Sequence, residues 1–184
     1  MKVLVTGGLG FIGSNFILKL LNELNDFDII NVDAELTGSN NENLIDIKDN
    51  PHYKFVKGNI TNKRLMEDLI SECDSVVNFA AESHVDRSIQ GADPFLVSNI
   101  RGAFTILDII TKQKKRMVQV STDEVFGSLS SGTANEESKL NPSNPYSATK
   151  AAAELLINSY LATYNSDVVI TRCTNNYGPR QFME

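Results

Sequence analysis

The chain has 184 residues, of which 41% are hydrophobic and 22% are charged, and its formal net charge is −6 at pH 7. This length supports one domain with a full core, and the composition is that of an ordinary globular protein. The acidic balance argues against a nucleic-acid partner. The two cysteines, Cys73 and Cys173, fit no disulfide or metal pattern, and with only two histidines we expect no metal site.

No apolar run is long enough to span a membrane, and the chain starts directly with a predicted strand where a signal peptide would lie. We therefore expect a cytoplasmic protein without a membrane partner.

Strand-like apolar runs alternate with helical patterns along the chain. Several runs are continuous in Val, Ile and Leu, which is typical of parallel strands covered on both faces. Repeated β-α units of this kind predict an α/β fold, a doubly wound parallel sheet with helices on both faces. The predicted strands are 2–6, 28–32, 53–56, 75–79, 117–121 and 168–171, the predicted helices are 11–24, 61–72, 94–113 and 146–164, and 127–144 is predicted to be a surface loop.

A glycine-rich turn joins the first predicted strand to the first helix. Gly7, Gly10 and Gly13 allow a tight turn, close approach of a pyrophosphate and close packing of the helix. The next predicted strand ends at Asp33, twenty residues after Gly13, which is the context of a dinucleotide site. Asp33 would bind ribose hydroxyls and repel a 2′-phosphate, so the pattern favours NAD over NADP. The other interpretation of Asp33 is an ordinary turn residue.

Tyr146 and Lys150 lie one turn apart on a predicted helix and therefore share a face. We predict that the lysine charge lowers the pKa of the tyrosine, so that the phenol acts as a base near neutral pH. A Tyr-x-x-x-Lys pair is common, and Asn144-Pro145 alone would explain a helix start here. Beyond an NAD site, however, the pair indicates hydride transfer to or from a nicotinamide.

Thr122, Asp123 and Glu124 directly follow the fifth predicted strand. In open α/β sheets, ligands bind at the carboxyl ends of the strands. Any one of these residues also fits a capped turn. Two carboxyl groups beside an oxidising site indicate acid and base catalysis on an oxidised intermediate, and elimination of water is the natural reaction.

Five stretches give the chain a resemblance to the extended short-chain dehydrogenase/reductase family, and within it to the sugar-nucleotide 4,6-dehydratases. They are 5–14, 78–88, 121–127, 145–150 and 171–179. The resemblance covers essentially the whole chain and implies a Rossmann-like fold. It also implies NAD as the cofactor and dehydration of a nucleotide-linked glucose, dTDP-glucose, to the 4-keto-6-deoxy sugar. Epimerases of the same branch usually lack the Asp-Glu pair of the third stretch.

The resemblance also assigns roles to single residues. Tyr146 would take the proton of the sugar 4-hydroxyl, Lys150 would stabilise the phenolate and hold the nicotinamide ribose, and Thr122 would bind the 4-oxygen. Glu124 would remove the C5 proton, and a protonated Asp123 would protonate the departing 6-hydroxyl. Further expected contacts are Phe11, Ile12, Ile60, Ala80, Ala81 and Asn176 for NAD, Asn59 for the adenine amino group, and Ser83 and Asn175 for the sugar nucleotide; His84 and Asn99 are expected to be structural.

The resemblance further implies a homodimer through the helices near 94–113 and 146–164. We expect residues 1–184 to form a truncated NAD-binding and catalytic domain without a C-terminal sugar-nucleotide domain, poorly active or inactive alone. Three alternatives stay open: another NAD-dependent sugar-nucleotide epimerase or decarboxylase, a non-catalytic NAD-binding module, and a CDP- or GDP-sugar as the substrate.

Overall fold

Six short segments form one parallel sheet in the computed structural model, which describes residues 1–24 and 26–182. The strand order is β3-β2-β1-β4-β5-β6. Successive strands are therefore added on one side of β1 up to β3 and on its other side from β4 onward. The predicted doubly wound parallel sheet is confirmed, and each strand lies within two residues of its predicted bounds. The strands are β1 (Lys2–Thr6), β2 (Asp28–Asp33), β3 (Tyr53–Lys57), β4 (Ser75–Asn78), β5 (Arg116–Thr122) and β6 (Val168–Cys173).

The helices are α1 (Phe11–Glu23), α2 (Lys63–Ser71), α3 (Val85–Gln90), α4 (Asp93–Phe95), α5 (Ala103–Gln113) and α6 (Pro145–Tyr164). The predicted helix 94–113 forms as α4, a π-helical stretch at Leu96–Gly102, and α5. Helix α3 and two short 3₁₀ segments, Asn41–Ile47 and Asp123–Phe126, were not predicted. Among the helices of the described residues, none combines the length and apolar character that a bilayer crossing requires.

Two apolar clusters cover the two faces of the sheet. On one face, side chains of α1 and the first 3₁₀ segment, such as Ile17 and Leu44, pack against β1 and β2. On the other face, α2, α5 and α6 pack against the sheet with buried side chains such as Met66, Ile106 and Ile157. Burial on both faces explains why the strands have continuous apolar runs.

The start of α6 is fixed by its own sequence. Asn144 caps the helix by accepting a hydrogen bond from Ser147 N at 2.8 Å, and Ser147 Oγ accepts one from Asn144 N at 3.2 Å. Pro145 occupies the first turn, where its missing N–H costs nothing. This reciprocal cap places Tyr146 in the first turn, at the carboxyl edge of the sheet.

Candidate active site

A cleft of about 1010 Å³ runs along the carboxyl edge of the sheet, from the glycine-rich turn to the start of α6. Its size is in the range of small-molecule and cofactor sites. Every predicted site residue except Asp123 lines it: Gly7, Gly10, Phe11, Ile12, Gly13, Asp33, Asn59, Ile60, Ala80, Ala81, Ser83, Thr122, Glu124, Tyr146, Lys150, Asn175 and Asn176.

The glycine-rich turn leaves room where a phosphate group would lie. Gly7 has φ of 69°, and a Cβ there would lie 2.7 Å from the backbone nitrogen of Ala80. A Cβ on Gly10 would meet only the Gly7 carbonyl oxygen, at 3.3 Å, among the described atoms. Gly10 is the N-cap of α1, and no side chain of the described residues caps this end. The unpaired N–H groups and the positive end of the helix dipole therefore suit a pyrophosphate.

Asp33 organises the loops around this turn. Its carboxylate accepts hydrogen bonds from Leu9 N at 3.0 Å, Glu35 N at 2.8 Å and Ser39 Oγ at 2.7 Å, and the residue is only 5% exposed. The turn-residue interpretation therefore describes a real part of its role. A carboxylate has about four acceptor positions, so capacity is left for a ribose hydroxyl.

The side-chain oxygen of Asn59 is engaged within its own turn. Its Oδ1 accepts hydrogen bonds from Thr61 N at 2.9 Å and from Thr61 Oγ1 at 2.8 Å. Because an amide oxygen has two lone pairs, this oxygen is already used within the turn. For this oxygen to accept from an adenine amino group, as predicted, one of these bonds would have to be released; Asn59 does line the cleft.

Tyr146 and Lys150 share a face of α6 and both lie in the cleft, as predicted. The predicted electrostatics are wrong, however. Burial and then the charge of Glu124 raise the pKa of Tyr146 to about 12, against the lowering effect of a side-chain hydrogen bond with Thr122. Burial lowers the pKa of Lys150 to about 8, and its ammonium donates to the Val120 carbonyl oxygen at 2.7 Å. Tyr146 is therefore held in its protonated form by its surroundings.

The two carboxyl groups after β5 are brought to different cavities. Glu124 lines the cleft and accepts a hydrogen bond from Asn144 Nδ2 at 3.1 Å. Asp123 lines a neighbouring cavity of about 590 Å³, together with Arg172 and the loop that follows the 3₁₀ segment. Both belong to a tight turn capped by the Thr122 hydroxyl, which accepts from Glu124 N at 3.3 Å and donates to Asp123 Oδ1 at 3.4 Å. Thr174 lines both cavities, which are therefore adjacent.

Asn99 has the structural role expected of it. Its side chain accepts from Glu82 N at 2.9 Å and donates to the Glu82 carbonyl at 3.0 Å and to Thr149 Oγ1 at 3.0 Å. It thus fixes the chain that follows β4 against α6. The ring of His84, which lines the cleft, meets the ring of Phe182 edge-on at 6.1 Å between centroids.

Among the cleft residues that were not predicted, Cys173 and Ser98 carry polar side chains on regular elements. Cys173 ends β6 opposite Thr122, and its thiol donates to the Ser121 carbonyl at 3.3 Å. Ser98 lies on the π-helical stretch and also lines the cleft. The position of Cys173 at the carboxyl end of a predicted strand was a usable signal. No sequence signal marked Ser98, because the π-helical stretch that exposes it has no simple sequence pattern.

A doubly wound parallel sheet with a glycine-rich turn after its first strand defines a Rossmann-like protein. Residues 4–184 match the family model described as GDP-mannose 4,6 dehydratase, and the chain belongs to this family.

Several individual proteins are similar to this chain. The chain is 48% identical to the low-salt glycan biosynthesis protein Agl12 of Haloferax volcanii, over all of this chain and 59% of Agl12. Its structure resembles that of DesIV, the dTDP-glucose 4,6-dehydratase of Streptomyces venezuelae crystallised with NAD, with a TM-score of 0.94 and 44% identity over 98% of this chain and 58% of DesIV. A UDP-glucuronic acid 4-epimerase from Bacillus cereus has a TM-score of 0.92 but only 29% identity, over 98% of this chain and 59% of the epimerase. The chain thus spans less than two thirds of these relatives.

Proposed function

We propose that this chain carries the NAD site and the catalytic residues of a sugar-nucleotide 4,6-dehydratase that acts on dTDP-glucose. The convergence of Thr122, Glu124, Tyr146 and Lys150 in the cleft that begins at the glycine-rich turn carries the proposal. The 44% identity to DesIV, against 29% to the epimerase, supports dehydration over epimerisation.

NAD would lie along the cleft with its pyrophosphate at the start of α1, held by the N–H groups after Gly10, and with a ribose beside Asp33. When bound, it would accept hydride from C4 of the glucose and later return it to C6. Lys150, which now donates to Val120, would also donate to the nicotinamide ribose. These residues fit the cofactor because the turn is open, uncapped and flanked by an acidic side chain with spare acceptor capacity.

In the oxidation step, Tyr146 would remove the proton of the 4-hydroxyl. Its pKa of about 12 opposes this transfer, and the hydrogen bond from Thr122 is the protein contact that lowers the pKa. The charge of Glu124 has the opposite effect. Neutralising Glu124 would therefore make Tyr146 a stronger acid, which couples the two groups electrostatically.

In the elimination step, Glu124 would take the C5 proton, which the 4-ketone makes acidic. Asn144 donates to Glu124 Oε2 and fixes the direction of the carboxylate. Asp123 would protonate the departing 6-hydroxyl. Because Asp123 lines the neighbouring cavity, this role requires C6 of the sugar to lie at the opening between the two cavities, near Thr174.

The test has two parts. Calorimetry of the purified chain with NAD should show one binding site. Mass spectrometry after incubation of dTDP-glucose with a high concentration of the chain and NAD should show at most slow formation of a product that has lost one water, and a longer chain that includes the remaining length of its relatives should form it readily. Tyr146→Phe is the matched control, since it keeps the ring and removes the phenolic oxygen that would take the proton. It should bind NAD and form no dehydrated product.

The outcomes separate the alternatives. A chain that binds no NAD contradicts the proposal. A product of unchanged mass but altered configuration would support the epimerase interpretation instead. NAD binding without turnover by a longer chain that includes the remaining length of its relatives would support a non-catalytic module. CDP- and GDP-glucose in parallel reactions identify the base.

We further propose that the chain forms a homodimer through the helices near 94–113 and 146–164. Large apolar side chains are exposed on these helices, where a partner would cover them: Leu96, Val97, Phe104, Leu155 and Tyr164. A single species with the mass of a monomer in light scattering at micromolar concentration would contradict the dimer. The cytoplasmic location, the division into domains and the lack of nucleic-acid and membrane partners stay predictions.

A further inference from the structure

A row of buried polar side chains crosses the sheet beneath the cleft. Thr6, Asn78 and Gln119 are register partners on β1, β4 and β5, with exposed fractions of 0%, 1% and 3%. Thr6 Oγ1 donates to Asn78 Oδ1 at 2.5 Å, and Asn78 Nδ2 donates to Gln119 Oε1 at 2.7 Å. Gln119 Nε2 then donates to the Val120 carbonyl at 3.1 Å. The three donors therefore point in one direction, toward Val120.

The row ends at the acceptor of the buried lysine. The Val120 carbonyl oxygen that takes the Gln119 amide hydrogen also takes the Lys150 ammonium, at 2.7 Å. At its other end, Thr6 Oγ1 accepts from Ala80 N at 3.3 Å and immediately precedes the glycine-rich turn. One continuous set of hydrogen bonds thus joins the turn to Lys150.

The fold itself does not call for polar residues in this row. Two residues earlier on the same strands, and on the same face, stand Leu4, Val76 and Met117, all in the apolar core under α5 and α6. Buried amides stabilise a structure only when every polar group is satisfied, so apolar residues would serve packing better. The row appears only at the end of the sheet where Lys150 is held.

We propose that Gln119, held in place by Asn78 and Thr6, is a positioning residue for Lys150 that acts through the Val120 carbonyl. Gln119 fixes the orientation of this carbonyl and occupies one of its two lone pairs. The Lys150 ammonium can then bind this oxygen only at its other lone pair. The effect on NAD binding rests on the function proposed for Lys150. The hydrogen bonds at the Val120 carbonyl do not depend on that proposal.

The groups that face Lys150 set its charge together with this row. Cys173 approaches from β6 and Glu154 from α6, where Tyr146 also lies one turn away. Burial is the largest influence and lowers the pKa of Lys150 to about 8. Removing the Gln119 amide frees a lone pair of Val120 for the ammonium and leaves Cys173 and Glu154 in place. The pKa of Lys150 should therefore rise.

The test compares Gln119→Met, which keeps the length of the side chain and removes its amide, with Thr111→Val. Thr111, near the C-terminal end of α5, makes a partly buried hydrogen bond with Ser166 at 2.7 Å and serves as the control for a lost internal hydrogen bond. The pKa of Lys150 is read from the ¹³Cε signal of labelled lysine, which is assigned by its loss in Lys150→Met. NAD affinity is measured by calorimetry.

Gln119→Met should raise the pKa of Lys150 by about half a unit or more and weaken NAD binding several-fold. Thr111→Val should lower the melting temperature without either change. Equal pKa values for Lys150 in all three proteins would overturn the inference. If Gln119→Met does not fold, Asn78→Leu, which removes the support of Gln119 without touching Val120, decides by the same readouts. A wild-type chain that binds no NAD refutes the proposed function, while the NMR titration still decides the positioning role.

Discussion

At the scale of single residues, Asp33 shows how one carboxylate shapes a binding loop. It holds the backbone of Leu9 and Glu35 and the hydroxyl of Ser39. Asp33→Ala should lower the free energy of unfolding by about 2 kcal/mol, because buried donors lose their acceptor. It should also weaken NAD binding. Urea denaturation and calorimetry measure the two effects. Asp49→Ala, at an exposed acidic residue between the first 3₁₀ segment and β3, is the control and should change stability by less than about 0.5 kcal/mol.

Lys150 predicts a pH dependence of stability. In the unfolded chain its pKa is near 10.5, and in the folded chain it is about 8. Between these values the unfolded state binds more protons, so the folded state gains stability as pH rises. The gap corresponds to roughly 3 kcal/mol. Above pH 10 the effect of Tyr146 opposes this gain, because its pKa is raised from 10.0 to about 12 and the unfolded chain loses that proton first.

The measurement is a series of urea denaturations between pH 7 and pH 10 for the wild type and Lys150→Met. The stability of the wild type relative to the variant should increase steadily from about pH 8 to pH 10. A constant difference across the series would show that Lys150 keeps an ordinary pKa in the folded chain.

At the scale of elements, the regular part of the fold followed from the sequence. The six strands and helices α1, α2 and α6 were predicted because apolar runs and periodic faces report burial directly. Helix α3 and the segment Asn41–Ile47 were missed because six or seven residues contain too few turns for a periodic signal. The π-helical stretch was also missed. Its last residue, Gly102, lies against the Ile60 side chain, which is far away in the chain, so this contact leaves no local pattern.

A buried ion pair joins the last two elements. Glu154 of α6 is fully buried and pairs with Arg172 of β6, with Nη2 to Oε2 at 2.7 Å and Nε to Oε1 at 3.2 Å. The guanidinium also lies over the ring of Phe126, 5.1 Å from its centroid. Glu154→Leu should lower the free energy of unfolding by about 3–5 kcal/mol, since the partner is left without its counter-charge.

The double variant Glu154→Leu/Arg172→Met should recover much of this loss, because no charge remains in the apolar site. Chemical denaturation of the single and double variants measures both effects. Asp167→Ala, which removes the exposed partner of Arg116 at 3.1 Å, is the control and should cost less than about 1 kcal/mol. Equal losses at the buried and exposed pairs would contradict this account.

At the scale of the whole molecule, the order of the strands explains why most site residues were predictable. The stretches after β1, β4 and β5 and the start of α6 meet at one edge because parallel strands share their carboxyl ends. The features that could not be predicted concern the contacts that a side chain makes, not the position of its residue in the fold. Asp123 lines a second cavity, and Gln119 bonds to Asn78 and to the Val120 carbonyl, although neither has an unusual pattern around it.

The outer edge of β6 has a consequence for handling the protein. In the described part of the chain, β6 pairs only with β5, and Val169 is 47% exposed. An unpaired edge strand of this kind can form hydrogen bonds with a strand of another molecule, and repeated pairing leads to aggregation. Concentrated samples should therefore become turbid over time. Val169→Lys, which places a charge on that edge, should slow this turbidity at an unchanged melting temperature, whereas Val169→Thr should not. Equal rates for the two variants would locate the self-association elsewhere.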